Sequence, residues 1–195
     1  MSTPRTRRAI TIAVVLFICG FVAAGAAEQT RVVFVEGVVR LHNDDGSFSR
    51  ARVGDVVTTG MSVSTGFDAS AELAVGASRV TVDPISFVEF AELSQSDEAA
   101  DTTLDLSFGR VRSRVRSADQ RRTDFEVRSP VSTATVKGTD FVYDGSLLTV
   151  FEGDVSLQNS IGQSHSVRAG QRSRAYGYET IQSVEAYFAE VSELE

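Results

Sequence analysis

From Thr30 onward, apolar and polar residues alternate with a period of two, and helical periodicity is nearly absent. Val33, Val35, Val39 and Leu41 form alternating pairs, as do Val56, Met61 and Val63 beyond a turn. Ala71 to Val75, Val80 to Val82 and Phe87 to Phe90 read as further short strands. They are followed by Leu104 to Phe108, Arg110 to Arg116, Phe125 to Arg128 and Phe141 to Tyr143. Leu147 to Phe151, Val155 to Leu157 and Ser166 to Arg168 complete the set. The pattern predicts an all-β domain of about a dozen short strands rich in β-branched residues.

Glycine punctuates these strands. Gly37, Gly46 and Gly54 are nine and eight residues apart, and Gly138, Gly145, Gly153, Gly162 and Gly170 follow at seven, eight, nine and eight. A turn after each short strand suits a sandwich, a barrel or a solenoid. The segment Val35-Glu36-Gly37-Val38-Val39-Arg40-Leu41-His42-Asn43 also lies without gaps on Phe151-Glu152-Gly153-Asp154-Val155-Ser156-Leu157-Gln158-Asn159. The match continues to Gly54 and Gly170, and Phe108-Gly109-Arg110-Val111 echoes its opening between the two copies. Repeated strand-turn units favour stacked coils or a rolled sheet.

Ser94 to Thr103 and Ser117 to Thr123 are polar and read as exposed loops. The tail, residues 175–195, differs in kind. Ile181, Val184, Tyr187, Phe188, Val191 and Leu194 fall at helical spacing with Glu185, Glu190 and Glu193 between them. This predicts an amphipathic C-terminal helix whose stripe caps the β body or docks on a partner.

Residues 1–27 read as an address. Arg5, Arg7 and Arg8 precede an apolar run from Ala9 to Ala27, which ends in Ala23-Ala24-Gly25-Ala26-Ala27. A charged start, an apolar middle and a small-residue end mark an export signal. The alternative is an uncleaved anchor, because the run is just long enough to span a bilayer. Cys19 as a lipidation site and a twin-arginine pattern at Arg7-Arg8 both fit less well, since Ile18 precedes the cysteine and the apolar run continues past it.

Composition narrows the picture further. Of 195 residues, 26 are acidic and 19 basic, with one Cys, two His and no Trp. A Cys/His zinc site or a disulfide framework lacks its residues. A net charge of −7 does not suit a non-specific nucleic-acid binder. Cleavage after Ala27 removes three Arg and the cysteine, leaving 16 basic against 26 acidic residues over 168 positions. That length buries a self-sufficient core.

The stretch Phe125-Glu126-Val127-Arg128-Ser129-Pro130-Val131-Ser132-Thr133-Ala134-Thr135-Val136-Lys137-Gly138-Thr139-Asp140-Phe141 resembles the signature of the FecR domain, a strand ending in T/S-P followed by a V-R-G-T-x-F core. Val57-Thr58-Thr59-Gly60 with Ala71-Glu72-Leu73, then Val82-Asp83-Pro84-Ile85-Ser86-Phe87-Val88, are similar to earlier family segments. Leu106 to Val111, Val150 to Val155 and Val167-Arg168-Ala169-Gly170-Gln171 are similar to later ones, and all stand in family order. Lys137 departs from the usual Arg, exchanging a planar fork for a point charge. Pro130, Val136, Lys137, Gly138, Thr139 and Phe141 are expected to be a folding element, with Gly138 in a positive-φ or tightly packed turn. The resemblance implies a β-solenoid-like or rolled architecture in the cell envelope. Named members are sigma-factor regulators with a cytoplasmic segment, one membrane span and this domain. Only eight residues precede the apolar run here, so the expectation carried over is the exported domain without a sigma-factor-binding segment.

No catalytic constellation stands out. His42 and His165 lack a nearby nucleophile motif and read as surface turn residues, and Asp44-Asp45-Gly46 reads as turn chemistry. The candidate binding residues are Arg110, Arg112, Arg114 and Arg116, which a strand projects from one face, with Arg121 and Arg122 following. Such a row suits an anionic polymer or acidic partner, unless acids such as Asp101 and Asp105 offset it.

The expectation is therefore a signal peptide or anchor over 1–27, a FecR-like β domain over 28–174 and a helix over 175–195. The expected role is a non-enzymatic binding or scaffold protein of the envelope, contacting a protein or an anionic glycan, with no cofactor, metal or nucleic acid. The alternative is a membrane-anchored sensor or regulatory component of envelope signalling.

Overall fold

The period-two pattern resolves into two sheets in a computed structural model that describes residues 29–96, 99–117, 122–176 and 182–183. The first sheet holds β1 (Arg31–Glu36), β5 (Ser70–Val75), β6 (Ser78–Val82), β9 (Val111–Arg114), β12 (Asp140–Tyr143), β13 (Leu147–Glu152), β16 (Arg172–Arg174) and β17 (Gln182–Ser183), in that spatial order. The second runs β15 (Ser164–Arg168), β14 (Asp154–Asn159), β11 (Ser132–Val136), β10 (Arg122–Arg128), β8 (Ala99–Phe108), β7 (Phe87–Gln95), β4 (Ser62–Thr65), β2 (Val39–His42) and β3 (Phe48–Arg50). Among these strands only β8 and β10 pair in parallel.

The chain shuttles between the sheets, usually laying down one or two strands before crossing back. Each return places new strands beside those already laid, so both sheets grow along one direction. One core fills the space between them. Val32, Leu73, Val80 and Phe141 from the first sheet meet Leu41, Phe90, Leu104 and Phe125 from the second. Phe125 and Phe141 cross at 6.4 Å between ring centroids, edge to face. Each such side chain contributes about 1.5–3 kcal/mol by leaving water.

The structure departs from the sequence pattern in several places. A bulge between Val32 and Phe34 on β1 turns Val32 inward and leaves Val33 exposed, so of the alternating positions Val33 and Val35 only Val35 packs against the core. Ser94 to Thr103 is not an exposed loop: β7 runs to Gln95, β8 begins at Ala99, and Thr102 and Thr103 are buried. Threonine is β-branched, and β8 is a central strand flanked by β7 and β10, which overrides its polarity. Arg122 and Thr123 likewise open β10 and do not close a loop. Within the predicted C-terminal helix, Gln182 and Ser183 instead pair as β17 with Arg174 and Ser173. The stripe residues Ile181, Val184, Tyr187, Phe188, Val191 and Leu194 lie outside the described residues, as does the segment 1–28.

The sequence repeat is a structural repeat at an offset of 116 residues. β1-β2-β3 in the first unit answers to β13-β14-β15 in the second, each placing one strand in the first sheet and a hairpin in the second. The hairpin turns and the turns that follow them share backbone bonds, although Ser47 N donates to Asp45 Oδ1 and its counterpart Gln163 N to Asn159 Oδ1. Gly46 N donates to Asn43 O and Gly162 N to Asn159 O, both at 3.0 Å. Arg52 N donates to Asp55 Oδ2 at 2.8 Å and Arg168 N to Gln171 Oε1 at 2.9 Å. Gly37, Gly46 and Gly54 have positive φ, as do Gly153, Gly162 and Gly170. The cross-strand pairs also correspond: Arg40 faces Arg50 and His42 faces Phe48, where Ser156 faces Ser166 and Gln158 faces Ser164.

Candidate functional site

The arginine strand β9 lies at the middle of the first sheet with Arg112 and Arg114 outward and Val111, Ser113 and Val115 buried, as the alternation requires. Its charge is largely met by neighbouring strands and turns. Arg110 Nε lies 2.7 Å from Asp83 Oδ2, Arg114 Nε 3.2 Å from Asp140 Oδ2, and Arg116 Nη2 2.8 Å from Glu152 Oε2. Arg112 stacks over the Phe151 ring at 5.6 Å. The offsetting acids are therefore Asp83, Asp140 and Glu152 and not Asp101 and Asp105. Arg122 belongs to the other sheet, 2.9 Å from Asp124 and 3.9 Å from Asp101, so it does not extend the row. Arg121 lies outside the described residues.

The signature residues sit in the body of the fold. Val136 and Phe141 are in the core, and Thr139 is buried with its Oγ1 donating to Asp154 O at 3.0 Å. Gly138 has φ +129 and its carbonyl abuts Gly153, while Lys137 and Pro130 are exposed. The Ser-Pro end of β10 is pinned by the buried Tyr143, whose Oη lies 2.7 Å from Ser132 Oγ and 2.9 Å from Gly145 O. Burial raises the Tyr143 pKa above its ordinary value, and its bonds to Ser129 and Ser132 partly counter this.

A second surface was not singled out by sequence reasoning. Where β2, β4, β7 and β8 end or begin together, four backbone segments lie side by side. Gly66 N donates to Val38 O at 3.0 Å, Ile85 N to Gly66 O at 3.1 Å, and Arg110 N to Ser86 Oγ at 2.9 Å. Each segment presents a large apolar side chain to water: Val38, Phe67 (83% exposed), Ile85 (50%) and Phe108. Ile85 does so with φ +54, a conformation that a β-branched residue rarely adopts.

Around the corner, on the outer face of the second sheet, an aromatic ladder crosses β3, β2, β7 and β8. Phe48 and His42 lie 5.8 Å apart, His42 and Phe87 5.4 Å, and Phe87 and Phe108 6.1 Å. His42 is thus a strand residue held by Ser64 Oγ at 2.8 Å and is not in a turn. Arg40 sits 5.8 Å over the Phe48 ring, and Arg50 reaches the Gly37 carbonyl at 3.4 Å. The signal was available: Phe48 and Arg50 alternate outward at the matching place in the repeat where the second copy has serines. Sequence identity marks what the two copies share as a fold, and this corner lies where they differ.

The fold defines an all-β double-sheet domain in which the chain passes repeatedly between two sheets. Residues 61–156 match the family model described as FecR protein, so this stretch of the chain is a FecR domain. Two crystal structures of a protein provisionally named an anti-sigma factor, from Parabacteroides distasonis, share the fold. Their TM-scores are 0.52 and 0.51 at 12% and 14% identity, and each match covers 63% of this chain. The chain spans 58% of the length of either. No curated protein matches the sequence.

Proposed function

We propose that this protein is a non-enzymatic binding module of the bacterial cell envelope, exported by its N-terminal segment, whose partner is another protein. The two sheets, each extended strand by strand along the chain, serve it as a scaffold. The observation that supports the reading best is the exposed apolar rim of Val38, Phe67, Ile85 and Phe108. Scattered apolar residues are ordinary on a surface, but contiguous ones mark interaction sites. Ile85 adds to it, because a β-branched apolar side chain is held out to water at a positive φ where a turn ordinarily takes Gly or Asn.

The test is site-specific photo-crosslinking in intact cells. A crosslinker at Phe67 or Phe108 is expected to capture one envelope protein, and one at Thr149 on the outer face of the first sheet is not. Equal capture at all three positions, or capture at Thr149 alone, overturns the reading.

A second reading is favoured by the FecR family match and by the anti-sigma-factor description of the structural neighbours: a component of envelope signalling, with the same rim touching a membrane-bound partner. It predicts that the captured protein is a membrane receptor and that residues 1–27 remain attached to the mature chain. An N-terminus near Glu28 on the protein from cells contradicts the anchored form.

A further inference from the structure

The two copies of the repeated unit provide an internal control. At matching positions of one hairpin template, the second copy has Ser156, Gln158, Ser164 and Ser166, and the first has Arg40, His42, Phe48 and Arg50. The template therefore needs only small or uncharged polar side chains there. We propose that the first copy uses these four residues to bind an extended acidic segment of a partner protein, which adds to the open edge of β3 as a further strand. The inference rests on the reading of the domain as a protein-binding module and names the chemistry of the partner.

Electrostatics calls for an anion. Arg40 and Arg50 are direct cross-strand partners on one face, and like charges so placed repel. A second such pair exists in the first sheet, Arg79 opposite Arg114, but there Glu72 and Asp140 take one guanidinium each. Among the described residues no carboxylate is paired with Arg40 or Arg50. The protein as a whole is acidic, and here two neighbouring guanidiniums stand without a paired carboxylate.

Backbone geometry calls for a strand. Asn43 N donates to Ser47 O and Ala51 N to Val39 O, both at 2.9 Å. The alternation of an antiparallel ladder then turns the N–H and C=O groups of Phe48 and Arg50 away from β2, toward the edge of the sheet that no described strand covers. An added strand satisfies these groups by β-augmentation. A residue opposite Arg50 stands about 4.5–5.5 Å away on the same face, within reach of both guanidiniums if it is Asp or Glu. Its neighbour two positions along stands over Phe48 and matches it best when apolar or aromatic.

Other occupants fit less well. A second copy adding through its own β3 brings Arg50 toward Arg50, and one adding through β15 brings His165 and Arg168 instead. A glycan or lipid surface satisfies the guanidiniums but supplies no strand to the edge. Charges on an edge strand can guard against aggregation, but an exposed Phe48 beside them works against that role, and β15 at the opposite edge has serines there.

The experiment uses the full chain in mild detergent and a fluorescent heptapeptide alternating glutamate with threonine around a central tyrosine. Saturable binding is expected, and Arg40→Ser or Arg50→Ser weakens it about tenfold, with Phe48→Ser similar. Arg112→Ala shifts it less than about twofold, because that side chain lies on the other sheet. Hydrogen exchange at the Phe48 and Arg50 amides is expected to slow when peptide binds. The inference is overturned if no binding saturates below about 1 mM, if the lysine version of the peptide binds equally, if the two amides gain no protection, or if only heparin oligosaccharide or phosphatidylglycerol vesicles bind. Loss of peptide binding in Arg40→Ser with the Phe108 crosslink retained supports the inference. A Phe108 crosslink in a wild-type protein that fails to bind peptide removes the strand addition and leaves the binding module standing.

Discussion

Ile85 and Tyr143 show how single side chains divide between folding and surface roles. Ile85 holds φ +54 after Pro84, a position ordinarily given to Gly or Asn. Ile85→Asn is therefore expected to raise stability by about 1 kcal/mol in urea denaturation, while lowering crosslinking at the neighbouring Phe108. Tyr143 is the opposite case, a buried hydroxyl tying Ser132 and Gly145 at the Ser-Pro end of β10. Tyr143→Phe is expected to lose about 1–2 kcal/mol at neutral pH. Because burial raises the folded-state pKa above an unfolded value of about 10, the protonated tyrosine's contribution is complete below that pH and declines above it. The wild type should thus lose stability on passing from pH 9 to 11 faster than Tyr143→Phe does. Parallel slopes contradict this account of Tyr143.

At the scale of strands and turns, close approach decides which glycines are replaceable. A Cβ on Gly109 falls 2.2 Å from Ser86 Oγ and 2.5 Å from Ile85 O, at φ +93. Gly46 has a similar φ with nothing within 4 Å of its Cβ. Gly109→Ala is expected to cost about 3 kcal/mol, and Gly46→Ala about 1 kcal/mol, measured by chemical denaturation. The ion pairs along β9 are exposed, and Arg114→Ala is expected to cost no more than about 1 kcal/mol. Alternation along Val111-Arg112-Ser113-Arg114 was legible in sequence because an inner apolar face fixes register. Which acids meet those arginines was not legible, since Asp83, Asp140 and Glu152 arrive from distant turns and strands. The β1 bulge and the buried threonines of β8 were missed for a related reason: both depend on neighbouring strands more than on local composition.

At the scale of the molecule, the repeat was visible as Glu-Gly-x-Val and its spaced glycines, because turns demand specific residues wherever they recur. The functional difference between the copies was hidden in the positions that do not match. Both copies build a strand and a hairpin with shared backbone turn bonds, and the two hairpins lie at opposite edges of the second sheet. The central claim is that the first copy carries a charged, aromatic corner which the fold does not require. The most direct measurement is the denaturation midpoint of a variant in which the first copy takes the second copy's residues, Arg40→Ser, His42→Gln, Phe48→Ser and Arg50→Ser. Relief of the Arg40–Arg50 repulsion offsets the lost aromatic contacts, so stability is predicted to remain within about 1 kcal/mol of wild type. A loss of about 3 kcal/mol or more would mean that the corner is part of the folding core's support, and would contradict its assignment to a partner.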